Sequence, residues 1–237
     1  KIGEEFIMSE SRVRFFEQRI SDMGYDKALR ALDWMMEEMA APNYARHDGS
    51  HYYNHLVDVA QDLLNHGIRD EDLIVGALLH DAVEDVPGIT LRMIDDKFNT
   101  RVAKMVGAVT KEPGVNYKQG DLIKVLYLDP MLENPDPCVL KAGDRKHNFS
   151  TLRSATPEKK LRQAIETEKF FFPFFKEAMK RYPRYSAYFL SAKTAIKPHL
   201  LEIKEHYEEV DALQARIKEL EILNAQYVQG EQGVIYA

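Results

Sequence analysis

The sequence predicts an all-α fold on three observations. Apolar residues recur at three- and four-residue steps over most of the chain. No run alternates apolar and polar residues as a half-buried strand would. Gly24, Gly67 and Pro87-Gly88 punctuate the periodic stretches.

Residues 14–40 carry helical periodicity with a break near Gly24, which predicts an N-terminal helical pair. Residues 52–66 predict the next helix, ending near Gly67. Asp70 is placed to cap a helix over 70–86, with Leu73, Val75, Leu78 and Leu79 behind it and Pro87 to end it. Thr90 reads as another N-cap, and a helix is expected over 100–110. Residues 112–121, EPGVNYKQGD, read as a polar loop. Helices are expected over 137–152 and, with breaks at Pro173 and Pro183, over 157–197.

Beyond that point Ile203, Val210, Leu213, Ile217, Leu220, Asn224 and Tyr227 keep a three-four spacing, with His206 filling the remaining step. About 3.5 heptads with Asn224 as a polar seam position suit a short coiled coil, and so a homodimer. The alternative is a long amphipathic helix packed on its own domain. The last residues, GEQGVIYA, read as a loose tail. The expected organisation is one domain over 1–200, with its motif core at about 40–195, then a C-terminal helix and tail over 201–237.

The 237 residues are 45% apolar and 30% charged, enough to bury a core without disulfides. The single cysteine, Cys138, excludes an internal disulfide and fits the cytoplasm. No stretch of about 18 apolar residues suggests a membrane span, and KIGEEFIMSESR lacks the apolar core of a signal peptide. A net charge of −6 argues against coating nucleic acid. A small-molecule partner fits these limits.

The chemistry concentrates in ALLHDAVEDV, residues 77–86. His80, Asp81, Glu84 and Asp85 have i, i+1, i+4, i+5 spacing, which puts them on one side of a helix. Leu73, Ile74, Ala77 and Leu78 supply apolar contacts elsewhere. Such a cluster needs a compensating cation. The nearest Lys or Arg residues along the chain, Arg69, Arg92 and Lys97, are not local to it, whereas a divalent metal would serve directly. Two more segments place polar groups beside apolar runs. HYYNHLVDVA carries His55, and VLKAGDRKHNFSTL carries Asp144, Arg145, His147 and Asn148.

The order His, His-Asp, Asp resembles the HD superfamily of metal-dependent phosphohydrolases. The fuller texts YxxHxxxVA, ALLHDAVEDV, VGAVTK and LKAGDRKHNxxTL resemble the hydrolase domain of RelA/SpoT-type alarmone enzymes over roughly residues 40–195. The resemblance implies an HD-domain helical bundle. It also implies hydrolysis of guanosine tetra- and pentaphosphate, (p)ppGpp, to GDP or GTP and pyrophosphate. By the same resemblance His55, His80, Asp81 and Asp144 match the metal ligands. Two imidazoles and two carboxylates suit a borderline divalent ion; the family implies Mn²⁺, with Fe, Co and Zn compatible. Glu84 and Asp85 match the acidic pair that positions or deprotonates the attacking water.

Arg46 matches an arginine that packs on the guanine, and Asn148 and Thr151 match residues that hold the nucleoside. Lys141 and Arg145 match the family pattern, with a structural role as the alternative, Arg145 then pairing with Glu84 or Asp85. Tyr117 and Lys118 either reach the phosphates or sit on a surface loop. The chain departs from the pattern at Leu56, where proline is common, and at His47-Asp48. Gly143 and Lys146 stand where Ala and Leu are commoner. Too few residues flank the resembling region for a synthetase domain, so a stand-alone hydrolase is expected. The rival expectations are an HD phosphohydrolase of another nucleotide, such as the 2′-phosphate of NADPH, and a nucleotide-sensing module without catalysis.

Overall fold

The carboxylate of Asp70 accepts the backbone N–H groups of Asp72 and Leu73 at 3.1 and 3.4 Å. It thereby starts the helix around which the molecule packs. The computed structural model describes residues 2–40, 44 and 51–234, with side chains within 11–224. Arg46, His47 and Asp48 lie outside the described residues.

The elements run α1 (Ile2–Asp22), α2 (Asp26–Glu38), α3 (Tyr52–Asn65), α4 (Glu71–Leu79), the short α5 (Ala82–Asp85), α6 (Leu91–Lys97) and α7 (Thr100–Val109). A π-helical segment, Ile123–Leu128, leads into the one-turn α8 (Asp129–Met131). Then follow α9 (Pro135–Ser150), α10 (Pro157–Glu166), a second π segment (Thr167–Phe171), α11 (Phe172–Arg181) and α12 (Ser186–Val234). The fold is all-α, with no strand among the described residues. No described helix is long and apolar enough to cross a membrane.

Helix α4 is the centre. Every residue from Leu73 to Leu79 is buried, as a helix apolar all round requires. Helices α2, α3, α7 and α9 enclose it. Gly76 lets α7 approach: a Cβ there would sit 2.3 Å from Met105 Sδ. Arg101 on α7 fixes the two helices that carry the site. Its guanidinium donates to both oxygens of Asp70 at 3.1 and 2.8 Å and to both oxygens of Asp136 in the first turn of α9 at 2.8 and 3.1 Å. Two bidentate contacts from one arginine set α4 against α9.

The expected caps at Asp70 and Thr90 are present. Three expectations are corrected. The helix over 70–86 is interrupted: α4 ends at Leu79 and α5 begins at Ala82, with His80 and Asp81 in the turn between them. The His80 ring bonds the Ala77 carbonyl at 2.7 Å, and Asp81 adopts φ −102°, ψ −1°. Pro173 does not break the chain. The π segment before it absorbs the missing N–H, and the helix continues. Helix α12 runs past Pro198 to Val234, into the first residues of the stretch expected to be a loose tail, whose last three lie outside the described residues.

The two readings of that helix separate here. Its first half is core, with Tyr188, Phe189, Ala192, Ile196 and Leu200 buried. From Asp211 to Asn224 every side chain is exposed, including Leu213 at 57%, Ile217 at 56% and Leu220 at 48%. Over Asp211–Asn224 the heptad stripe is therefore not packed on its own domain, whereas Ile203 at its start packs against the core.

Gly143 and Lys146 now have a physical reason. Tyr188 of α12 donates its hydroxyl to Asp62 Oδ2 at 3.1 Å, and Lys146 pairs with Asp62 Oδ1 at 2.7 Å. A Cβ on residue 143 would lie 2.6 Å from that hydroxyl and 3.1 Å from Val59 Cγ1. Glycine at 143 makes room for the tyrosine, and the lysine answers the same half-buried carboxylate. Gly143→Ala is expected to lower stability by about 1–3 kcal/mol through overpacking. Adding Tyr188→Phe should return most of that loss. Denaturant midpoints of the two single variants and the double variant check this, and simple additivity would refute it.

Candidate metal centre and active site

Helix α3 supplies His55, the α4–α5 turn supplies His80 and Asp81, and α9 supplies Asp144. His55, His80 and Asp144 are 1%, 3% and 5% exposed, so their polar atoms need partners. They find one another. The two Nε2 atoms lie 3.2 Å apart. Asp81 Oδ2 is 3.2 Å from His80 Nε2 and 3.5 Å from His55 Nε2. Asp144 Oδ1 is 3.4 Å from His55 Nε2 and 3.7 Å from His80 Nε2.

The hydrogen bonds on the far side of His80 decide what this cluster is. His80 Nδ1 faces the Ala77 carbonyl at 2.7 Å. A carbonyl only accepts, so Nδ1 carries the proton and neutral His80 presents a bare Nε2 to the centre. His55 Nε2 and two carboxylate oxygens converge on that bare nitrogen. The set fits one cation, and His55, His80 and Asp81 satisfy the spacing of a metal group.

The same field acts on protons. Burial opposes charge on His80, yet Asp81 and Asp144 outweigh it and lift its pKa to about 10. Burial likewise opposes charge on Asp81 and Asp144. The His80 imidazolium beside Asp81 and the Lys141 ammonium beside Asp144 hold both carboxyls well below their usual range. Lys141 Nζ meets Asp144 Oδ2 at 2.6 Å, leaving Oδ1 for the imidazoles. The Tyr52 hydroxyl donates to Asp81 Oδ2 at 2.8 Å.

A cleft of about 560 Å³ opens beside the centre. Asp81, Glu84 and Asp85 line one wall, and Lys141, Asp144 and Asn148 another. Glu84 is tied to the end of α7 by the backbone N–H of Lys111. Desolvation pushes the Asp85 carboxyl above its ordinary value, against the pull of Tyr52. Tyr117 and Lys118 also line the cleft, so that part of the loop over 112–121 borders it while most of the loop stays exposed. The interrupted helix still delivers Asp81, Glu84 and Asp85 to one place, but through a turn rather than a shared helical face.

Three of the residues expected at the substrate make their contacts within the protein. Arg145 pairs with Glu166 at 3.3 Å and donates to Thr167 Oγ1 and the Gln163 carbonyl, which clamps α9 to α10; it does not pair with Glu84 or Asp85. Thr151 caps α9 with its hydroxyl near the carbonyls of His147 and Asn148, away from the described cleft wall. Asn148 lines the cleft but donates its amide to Asp144 Oδ1. Arg46 falls among the residues not described.

Sequence reasoning left out Lys111, Arg162, Gln163 and Glu166, all of which line the cleft. Only Lys111 carried a signal, as the last letter of VGAVTK. Tyr52 stood in the YxxH text without a role.

In a metal-free sample His80 is expected to keep its proton until about pH 10. A raised folded-state pKa means that the imidazolium stabilises the fold fully below 6.5 and loses that contribution as pH rises through about 10. NMR titration of the histidine rings reads this directly. A His80 midpoint near the ordinary value would show that the carboxylates do not outweigh burial.

Comparison with known proteins agrees with this geometry. Over 149 residues the chain is 36% identical to a probable GTP pyrophosphokinase of Mycobacterium leprae, covering 60% of this chain and 19% of that protein. Over 130 residues it is 37% identical to a guanosine-3′,5′-bis(diphosphate) 3′-pyrophosphohydrolase of Aquifex aeolicus, covering 54% of this chain and 18% of that one. The chain thus spans about a fifth of the length of these curated relatives. The fold is similar to the solved structure of a metazoan ortholog of SpoT, with a TM-score of 0.51 at 19% identity over 77% of this chain and 96% of that one. A family profile described as HD domain matches residues 31–177, which include His55, the His80-Asp81 turn and Asp144. The chain belongs to the HD domain family.

Proposed function

We propose that this chain hydrolyses guanosine 3′,5′-bis(diphosphate), and its pentaphosphate counterpart, to pyrophosphate and GDP or GTP. The observation that carries the reading is the convergence of four acceptors beside a cleft that holds both an acidic pair and five cationic side chains, Lys111, Lys118, Lys141, Arg145 and Arg162. The cleft volume suits a nucleotide. The named activity of the Aquifex aeolicus relative supports the substrate class.

His55, His80, Asp81 and Asp144 would hold one divalent cation, which we assign as Mn²⁺. When bound, such an ion acidifies water and polarises phosphoryl oxygens. The chain's own groups do the rest. Asp85, its pKa raised by desolvation, is the base that takes the proton from water. Glu84, fixed through the Lys111 N–H, orients that water. Water oxygen bonds to the 3′ phosphorus and the bond from that phosphorus to the 3′ oxygen breaks; a proton from solvent, balanced by the one Asp85 gives up, completes the 3′ hydroxyl of GDP or GTP as pyrophosphate departs. Lys111, Lys118 and Arg162 neutralise the phosphates. Tyr52 keeps Asp81 turned toward the centre. A substrate of this class and a single free, buried Cys138 fit a cytoplasmic setting.

The test is purified protein with Mn²⁺ and ppGpp, read as release of GDP and pyrophosphate. Glu84→Gln and Asp85→Asn should each keep the metal and lose about 10²–10⁴-fold in rate. His80→Ala should lose metal and rate together. Because Asp85 titrates high, the rate should fall as pH drops through that raised value. No turnover above the His80→Ala control would end the proposal. Turnover of another nucleotide in a substrate panel, or tight binding without turnover, would replace it with one of the two rivals.

The exposed half of α12 pairs with a second copy in this reading. Val210, Ile217 and Asn224 occupy one seam position and Leu213 and Leu220 the other, while Ile203, in the same register, packs against its own core. β-Branched residues at the first, leucine at the second and one asparagine favour a parallel two-stranded coil. Arg216 of one helix then faces Glu221 of its mate. Light scattering should give a dimer for the full chain and a monomer for Ile217→Glu with hydrolysis unchanged; equal masses would remove the pairing.

A further inference from the structure

Resting on the metal-centre reading, we infer that His147 and Asp58 are positioning residues that fix the tautomer of His55. Arg12 of α1 anchors the outer end of this relay. His55 Nδ1 lies 2.7 Å from His147 Nδ1, a nitrogen pair that holds together only with one proton between the two. His147 Nε2 lies 3.1 Å from Asp58 Oδ2. A carboxylate oxygen accepts, so His147 carries its proton on Nε2 and leaves Nδ1 as an acceptor. The proton in the 2.7 Å contact therefore belongs to His55. That assignment leaves His55 Nε2 bare and aimed at His80, Asp81 and Asp144. Arg12 Nη1 holds the same Asp58 oxygen at 2.6 Å.

The two histidines of the centre are thus oriented by different means. His80 leans on a backbone carbonyl within its own turn. His55 leans on two side chains, one from α9 and one a turn further along α3, with α1 behind them. An outer partner of this kind sets both ring orientation and ligand basicity, and its loss commonly costs about 10–100-fold in metal affinity.

The experiment titrates Mn²⁺ alone into the wild type, His147→Phe, His147→Gln and Asp58→Asn, with circular dichroism in chelator as the folding control. His147→Phe keeps an aromatic ring but offers no acceptor, and should weaken Mn²⁺ binding by about 10–100-fold. His147→Gln restores an acceptor toward His55 and a donor toward Asp58, and should recover binding to within a few-fold. Asp58→Asn, at the more open end, should give a smaller loss and covers the case in which His147→Phe fails to fold. At saturating Mn²⁺ the KM for substrate should be unchanged in all three. Wild-type affinity in both His147→Phe and Asp58→Asn, or equal loss in His147→Phe and His147→Gln, would overturn the relay. Absence of metal binding by the wild type would overturn the centre itself. Wild-type binding without ppGpp turnover would remove the substrate reading and leave the relay intact.

Discussion

Four hydrogen-bond acceptors meet at one buried point with no donor among them, and the rest of the molecule is arranged around that constraint. Such a point carries negative charge that burial penalises, so a proton or a metal ion has to offset it. The lift in the His80 pKa and the depression of Asp81 and Asp144 are the protonic expression of the same field. The acceptors come from three places on the chain. They therefore depend on α3, α4 and α9 being held in fixed relation, which is the work of the buried α4 and of Arg101 between Asp70 and Asp136. Lys141 and Asn148 finish the arrangement by engaging Asp144 from the side, so that its carboxylate cannot turn away.

What was legible in the sequence was what is local. Asp70 and Thr90 cap their helices through bonds to backbone groups two or three residues on, and that chemistry is written in adjacent letters. Periodicity gave the helices for the same reason. The turn at His80-Asp81 was not legible. Six apolar residues in ALLHDAVEDV favour a continuous helix, and only the bond from the His80 ring to the Ala77 carbonyl, with the tertiary contacts of Asp81, accompanies its end. Arg145 shows the same limit from another side. Its partner Glu166 lies on the next helix, and nothing near Arg145 in sequence points there. The cleft walls contributed by Arg162, Gln163 and Glu166 follow from how α10 lies against α9.

Two of the departures from the family pattern, Gly143 and Lys146, are coupled. Gly143, Lys146 and Tyr188 meet at Asp62, and each makes sense only with the others: the small residue admits the tyrosine, and the lysine offsets the carboxylate that the tyrosine also contacts. Tyr188 belongs to α12. The helix that is exposed over Asp211–Asn224 is therefore seated, at its near end, one residue away from Asp144.

The unequal footing of the two histidines bears on how this centre tolerates genetic change. A backbone carbonyl is present whatever amino acid occupies position 77, so no side-chain replacement there removes the acceptor that orients His80. That half of the centre is robust to point mutation and vulnerable chiefly to insertions or deletions that shift the turn. The neighbours of His55 are side chains, and a single codon change at 147 or 58 alters them. Drift in this lineage can thus retune one ligand gradually, while the other stays as it is or is lost outright.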